Sequence, residues 1–510
     1  MQFHDLRSWI DFLEEKGQLR RVKAEVCAED GEMARLAAEV CTKKFHSPEG
    51  IPALLYENIK GYGEDAFCRR TFANNLATWE RINWSLGLDV DTHPVKIVDH
   101  IRTTVNQNTI KPVVVSTGPC KENIVKGDDV DLLKLPVPLI SEWDGTPPGT
   151  GRYITTYGGW VTRDPDTGFI NVGMYRGQML DKHSIGVLML RDAHWSIMHN
   201  KYLERGISKI PIAYFTGWDP AFLLITATAV TPYGVSEYDV MGGLRGKPIE
   251  LVRCELHEDL LVPATAEIVL EGWHEMDPAN FRLEGPFGEY TGHHAGRATP
   301  KPWVDIQCIT YRNDPIFQFM VRSKAPYPME EEVRIHCLGM SANYWNVCEN
   351  AGIPGITGVY SPLSSCATNF RVQVKQSYQQ MAAQIGATIL AARPSWTAKH
   401  IFVYDTDIDI CDDGQCDWAM AYRFDGADDY HSMKLPGSIL DPRTPPENRH
   451  PVRHGTGVWT GDVFDCTKPF TWEPREEWRG ENYPPTIHTT PKLLEKIESR
   501  WDEYFPNKDV

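Results

Sequence analysis

The sequence predicts an α+β protein: a strand-rich central region, a connecting helix, and a C-terminal α/β domain. Three observations lead there. Between residues 150 and 320, short runs of β-branched and aromatic residues outnumber helical repeats. Near residue 322 the pattern changes to one helical stretch, Met329 to Ser341. Beyond it strand and helix patterns alternate, as they do in an α/β unit. The expected boundaries are 1–321, 322–345 and 346–510, and a chain of 510 residues is too long for a single ordinary core.

In chain order, Leu6, Trp9, Ile10 and Leu13 repeat at helical spacing over 5–16, and Gly17 ends that helix. Met33, Leu36, Ala37 and Val40 mark a second helix over 31–43. Residues 51–150 are mixed, with β-like runs at Val113–Val115 and at Leu135-Pro-Val-Pro138; Pro136, Pro138, Pro147 and Pro148 punctuate the lead-in to the centre. The stretch from Tyr153 to Thr162, a turn at Asp164–Gly168 and a return over Ile170–Arg176 read as a hairpin. A strand over Gly186–Leu190, a helix from His194 to Glu204 and a strand from Ile210 follow. Asp219-Pro220 caps and starts a helix through Phe222, Leu223 and Ile225. Glu237 and the glycine-rich run Met241–Gly246 are placed in loop, with further strands at 248–253, 266–271, 303–311 and 316–321. The C-terminal part predicts a helix over Ser377–Ala391, a strand over His400–Tyr404 and a helix over Gln415–Arg423. Residues 433–490, rich in Pro and Gly, read as an extended arm. A closing helix over 491–504 carries Leu494, Ile497, Trp501 and Tyr504 on one stripe, which fits packing on the core or on a second subunit equally well.

Composition narrows the function classes. Apolar content of 42% and charged content of 24% are those of a folded soluble protein. A net charge of −17 opposes nucleic acid or an anionic membrane as the main partner, and an anionic substrate would need a local Arg to hold it. No signal-peptide core and no transmembrane-length apolar run is present, which points to the cytoplasm. The 12 Cys contain no CxxC pair, so reduced thiols are expected rather than a zinc site.

The residues that carry chemistry centre on Arg282-Leu-Glu-Gly-Pro-Phe-Gly-Glu-Tyr-Thr-Gly292. Pro286, Gly285 and Gly288 oppose a helix between Glu284 and Glu289, and a flat strand would point residues five apart to opposite faces. A bent loop can aim both acids into one cavity, where one stays charged and the other holds a proton. The same run would equally serve as an acidic surface turn. Asn171 and Arg176 lie on the returning hairpin strand, on opposite faces unless Gly173 carries a bulge. Asn171, His194 and Glu237 together make a donor set suited to manganese or magnesium, although any one of 17 His is more often mere decoration.

In order and spacing, Asn171-Val-Gly-Met-Tyr-Arg176, His194, Glu237 in Gly-Val-Ser-Glu, and Glu284-Gly-Pro-Phe-Gly-Glu-Tyr-Thr-Gly292 closely resemble the UbiD-like (de)carboxylases. Ile268-Val-Leu-Glu-Gly, Ile309-Thr-Tyr-Arg-Asn, Asp407-Ile-Asp-Ile and Trp418-Ala-Met-Ala fit as well, so the likeness runs almost end to end. The resemblance implies a cofactor domain built on a split β-barrel, a linking helix and a dimerising C-terminal domain. It implies prenylated FMN with Mn2+ (or Mg2+) and K+, the flavin coming from a flavin prenyltransferase. By position, Asn171, His194 and Glu237 match the metal ligands that hold the cofactor phosphate; Arg176, Glu284 and Glu289 match the catalytic group; Thr156, Gly173 and Met174 match cofactor contacts more loosely. The implied reaction is reversible loss of CO2 from an aromatic, heteroaromatic or α,β-unsaturated acid, by cycloaddition to the flavin, CO2 release and protonation by Glu289. Such a reaction at an sp2 carbon needs an electron sink that side chains do not offer. Two departures bear on substrate. Ser438 stands where relatives acting on phenolic acids carry a His, which disfavours a catechol-type acid, and Arg393 stands where some carry a cofactor-facing Lys. The alternative is an ordinary FMN oxidoreductase on a split barrel, which needs no Arg–Glu–Glu group.

Overall fold

The computed structural model describes residues 3–42, 50–145, 149–190, 193–295, 297–322, 330–392, 397–438, 440–445 and 458–505. Its central sheet runs, in spatial order, through Ile170–Gly173, Gly159–Arg163, Lys209–Thr216, Ile268–Glu275, Trp303–Tyr311, Ser184–Val187 and Gly177–Met179. Asn123–Lys126 also pairs with Trp303–Tyr311, and every pairing is antiparallel. The two end strands, Ile170–Gly173 and Gly177–Met179, are separated in the chain only by residues 174–176. So short a link forces the two ends of the sheet together, and the sheet curls into an open barrel with 174–176 across its seam.

Both faces of this sheet are covered. Along Lys209–Thr216, Ile212 and Tyr214 enter one core cluster while Ala213 and Phe215 enter the other. That is the two-residue alternation of a strand buried on both sides, and it explains the continuous apolar run in the sequence. Ile316–Gln318 leaves the barrel to pair in parallel with Arg70–Ala73, in a four-stranded sheet with Leu19–Val22 and Ala53–Tyr56. The N-terminal helix, Leu6–Glu15, is capped by Asp5, which accepts the Ser8 N–H, and buries Leu6, Trp9, Ile10 and Leu13.

The Glu331–Asn350 helix is buried along most of its length, polar residues such as Glu332, His336 and Asn343 included. Gly339 lets it approach the 226–231 segment, because a Cβ there would fall 2.2 Å from the Thr228 hydroxyl. Beyond it a five-stranded sheet runs in the order Ile356–Tyr360, Asn369–Val374, His400–Asp405, Val458–Asp465, Tyr430–Pro436. The helices Met381–Ala391 and Asp413–Arg423 complete this part.

Several expectations are corrected. Within the expected arm, Val458–Asp465 lies inside the C-terminal sheet and residues 433–436 belong to its edge strand Tyr430–Pro436, whereas 468–490 carries no strand and no buried residue; the flanking Pro and Gly masked two alternating strands. Leu135–Pro138 forms no strand. Glu237 is the first residue of a helix, Glu237–Arg245, not of a loop. Gly242 and Gly243 belong to that helix because it packs on main-chain oxygens of Ile110 and Asn108, where a Cβ would clash. The closing helix breaks into Pro491–Glu498 and Trp501–Tyr504, and Leu494, Trp501 and Tyr504 stay 43–45% exposed rather than packing on this chain's core.

Candidate active site

The cavity at the barrel seam has a volume of about 400 Å3. Residues 171–176, His194, the 226–233 segment, Glu237, Glu289 and one side of the Glu331–Asn350 helix line it, and Leu440 reaches in from the C-terminal part. Arg176 points into it because its neighbours are pinned. The Tyr175 carbonyl accepts from the Trp160 indole N–H (3.0 Å) and the Thr155 hydroxyl (2.8 Å), and the Met174 N–H donates to the Thr226 carbonyl. The Tyr175 ring stacks on Trp195 at 4.0 Å. Gly173 is needed beside it, since a Cβ there would lie 2.6 Å from that ring. The strand ends at Gly173, so Arg176 lies beyond it, and residues 174–176 rather than a bulge at Gly173 bring Arg176 to the same cavity as Asn171.

Arg176 grips Glu284 with two parallel hydrogen bonds, Nε to Oε1 (3.0 Å) and Nη2 to Oε2 (3.1 Å). Its remaining Nη1 pairs with Glu289. Glu284 also accepts from the Tyr153 hydroxyl (2.8 Å) and from Lys301 Nζ (2.5 Å). Burial alone would raise its pKa, but the charges of Arg176 and Lys301 outweigh burial and hold the carboxyl at about 2. The loop between the acids is bent as expected: Gly285 takes φ 97°, which favours glycine. Its N–H donates to Gln178 Oε1 (2.9 Å), Gly288 N–H donates to Asp144 Oδ1 (2.7 Å), and Gly145 N–H donates to the Pro286 carbonyl (2.7 Å). The two acids thus meet one guanidinium and are no surface turn.

Also lining the cavity, His194 Nδ1 lies 3.1 Å from Asn171 Oδ1. His194 is there because it opens the His194–Glu204 helix. Glu237 sits in the first turn of its own helix and accepts the Val172 N–H (2.7 Å), one residue from Asn171. Burial pushes its carboxyl up to about 8. The Asn171 amide nitrogen is buried without a partner among the described residues. Oxygen, nitrogen and carboxylate donors around a buried, unmatched amide fit a divalent cation and a phosphate oxygen beside it.

Asn171, Gly173, Met174, Arg176, His194, Glu237 and Glu289 all line the one cavity, and Glu284 lies directly behind Arg176. Thr156 does not line it: its hydroxyl is buried and accepts the Met320 N–H. Ser438 is buried against Leu440, accepting its N–H, while Leu440 itself faces the cavity. Arg393 lies outside the described residues. Tyr153, Lys301, Arg322 and His336 were not singled out from the sequence. Arg322 pairs with Glu332, and its guanidinium lies 4.7 Å from the Phe287 ring on which Arg176 also rests. His336 stacks on Tyr290 (4.5 Å), and burial drops its pKa to about 3, so it is neutral. Tyr153 lies 131 residues from Glu284, whereas Lys301 is only 17 away on the strand paired with it; no local pattern marks any of the four. Elsewhere the fold brings Cys411 beside His93 and Asp409, a convergence that cysteine spacing does not reveal.

Three family models match the chain consecutively: the N-terminal domain of 3-octaprenyl-4-hydroxybenzoate carboxy-lyase over 10–101, its Rift-related domain over 111–325 and its C-terminal domain over 335–461. The chain belongs to the UbiD family of carboxy-lyases. A pyrrole-2-carboxylic acid decarboxylase of Pseudomonas aeruginosa is 28% identical over 519 residues, covering 98% of both chains. An uncharacterised protein of Archaeoglobus fulgidus is 29% identical, covering 99% of both. The closed form of Sedimentibacter hydroxybenzoicus vanillic acid decarboxylase superposes with a TM-score of 0.83 at 27% identity, covering 99% of this chain and 100% of that one. The UbiD-class enzyme HmfF of Pelotomaculum thermopropionicum, solved with FMN, gives 0.77 at 28% identity, covering 96% and 98%. An evolved dimeric form of HmfF was solved with prFMN, and gives 0.76 at 27% identity, covering 97% and 98%. The curled sheet of this UbiD-family chain is the fold those enzymes share.

Proposed function

We propose that this carboxy-lyase removes CO2, reversibly and without net oxidation, from an aromatic, heteroaromatic or α,β-unsaturated carboxylic acid, using prenylated FMN with Mn2+ (or Mg2+) and K+. The observation that carries the reading is the pairing of Arg176 with both Glu284 and Glu289 in the cavity that also holds Asn171, His194 and Glu237. The substrates named for the pyrrole-2-carboxylate and vanillate enzymes, and the prFMN-bound HmfF, support the substrate class and the cofactor.

When bound, prenylated FMN supplies the electron sink that CO2 loss from an sp2 carbon requires. Asn171, His194 and Glu237 would hold the divalent ion and, through it, the flavin phosphate. Arg176 receives the substrate carboxylate by charge-assisted hydrogen bonds, while Glu284 fixes the plane of the guanidinium. The carboxylate competes with Glu289 for Arg176 Nη1, so Glu289 leaves the arginine and takes up a proton. The C–CO2 bond then breaks, its electron pair stays with the substrate, and the Glu289 proton is delivered to that carbon. Met340 and Leu440 give the chamber apolar walls suited to a ring. The division into a split-barrel cofactor domain (1–321), a linking helix (322–345) and a dimerising domain (346–510), with the exposed Leu494–Trp501–Tyr504 stripe seated on a second copy, belongs to the same proposal.

The test is to co-produce the chain with a flavin prenyltransferase, weigh the released cofactor, and screen aromatic acids for CO2 release. A prenylated-flavin mass with turnover of at least one acid is expected. Plain FMN combined with a redox activity would instead establish an oxidoreductase.

A further inference from the structure

Lys301 is a buried ammonium beside the catalytic arginine. It lies on the strand Thr299–Lys301, which pairs with Arg282–Glu284. Its Nζ donates to the Glu284 main-chain carbonyl (2.8 Å) and pairs with Glu284 Oε2 (2.5 Å). Burying an ammonium is costly unless its charge is matched, so its place against Glu284 calls for a reason.

Charge supplies one. Glu284 carries one negative charge and touches two cations, Arg176 and Lys301. With Arg176 alone the pair would be neutral and would exert little pull on a further anion. With Lys301 added, the trio carries one net positive charge, delivered at Arg176 Nη1, the group that faces the cavity and meets Glu289. Among the described residues, the other groups around this trio are the neutral Tyr153 hydroxyl, Arg322, which pairs with Glu332 and also lies in the field of Glu289 and Asp144, and Asp144 itself, which accepts the Gly288 N–H. We propose that Lys301 is the positioning residue that makes this site select a carboxylate: by balancing Glu284 it leaves Arg176 able to bind exactly one more anion, Glu289 in the free enzyme and the substrate carboxylate in the complex.

This rests on the reading of Arg176 as the carboxylate anchor, and the experiment separates the two. The chain is loaded with Mn2+ and plain FMN, so that binding is read without turnover, and titrated calorimetrically with pyrrole-2-carboxylate and with pyrrole-2-carboxamide. The wild type is expected to prefer the carboxylate by about tenfold or more. Lys301→Gln, which keeps a donor near the Glu284 carbonyl but removes the charge, should bring that ratio close to one. Lys301→Arg should retain most of it. A Lys301→Gln protein that keeps the wild-type ratio overturns the proposal, as does one that loses both ligands equally, which is a purely structural effect. A wild type with no preference for the carboxylate overturns the anchoring role of Arg176 along with it. FMN content and thermal midpoint of each variant report whether the fold is kept.

Discussion

Two buried glutamates, Glu237 on the cavity wall and Glu284 behind Arg176, face opposite electrostatic environments. Glu284 is enclosed by Arg176, Lys301 and the Tyr153 hydroxyl, and its carboxyl is held at about 2. Glu237, equally enclosed, is met by backbone N–H groups, of Val172 and its own, and by no cation among the described residues, and burial pushes its carboxyl up to about 8. Burial is therefore not what separates them; the protein's own cations are. The Glu284 group is charge-complete as the chain folds and is built to present a guanidinium. The Glu237 group is a set of donors suited to receive positive charge from an ion.

The sharpest test of that contrast lies at the third glutamate. Glu289→Gln should lower kcat by about 1,000-fold, the scale of a lost general acid, while flavin and manganese contents stay at wild-type levels. Near-normal turnover in that variant would remove Glu289 from the reaction. Arg176→Lys keeps the charge but loses the two-pronged grip on Glu284; kcat/KM should fall by about 100-fold, measured on the same acid.

The two buried acids should then part company in stability. Glu284→Gln leaves two cations without their carboxylate and should cost about 3 kcal/mol or more at pH 7 in chemical denaturation. Because the folded pKa of Glu284 lies below its ordinary 4.5, its contribution is complete above pH 4.5 and fades as pH falls toward 2. The gap between variant and wild type should narrow over that window; a constant gap would show that charge is not its source. Glu237→Gln should do the reverse. The raised folded pKa makes the carboxylate a burden that grows from pH 4.5 through 8, so the metal-free variant should match or exceed wild-type stability at pH 9. The same variant should bind manganese at least tenfold more weakly, read by metal content after dialysis. The smallest effect is expected far from the cavity: Trp501→Asp should shift the mass in solution toward monomer and leave the folded chain's thermal midpoint within a few degrees.

Much of this was legible in one dimension. The hairpin over 159–173, the His194–Glu204 helix and the bent loop between Glu284 and Glu289 follow from β-branched runs, a 3.6-residue repeat and Pro–Gly chemistry, all of which are local. The helix from Glu237 was missed because Gly242 and Gly243 look like breakers, and only the close approach of the 108–110 main chain shows why they are tolerated. The strand at 458–465 is hidden in the sequence by the flanking Pro and Gly, and one of its partners, His400–Asp405, lies more than 50 residues back.

By itself, then, the sequence determined which side chains are available for chemistry and in what order, since residue type and local backbone preference are properties of neighbours along the chain. The tertiary structure alone decided that the sheet curls until its two end strands are joined by residues 174–176 alone, that Lys301 and Tyr153 close around Glu284, and that Thr156 faces Met320 rather than the cavity. Those outcomes depend on contacts between segments up to 164 residues apart, and the charge state of each buried acid depends on such contacts too.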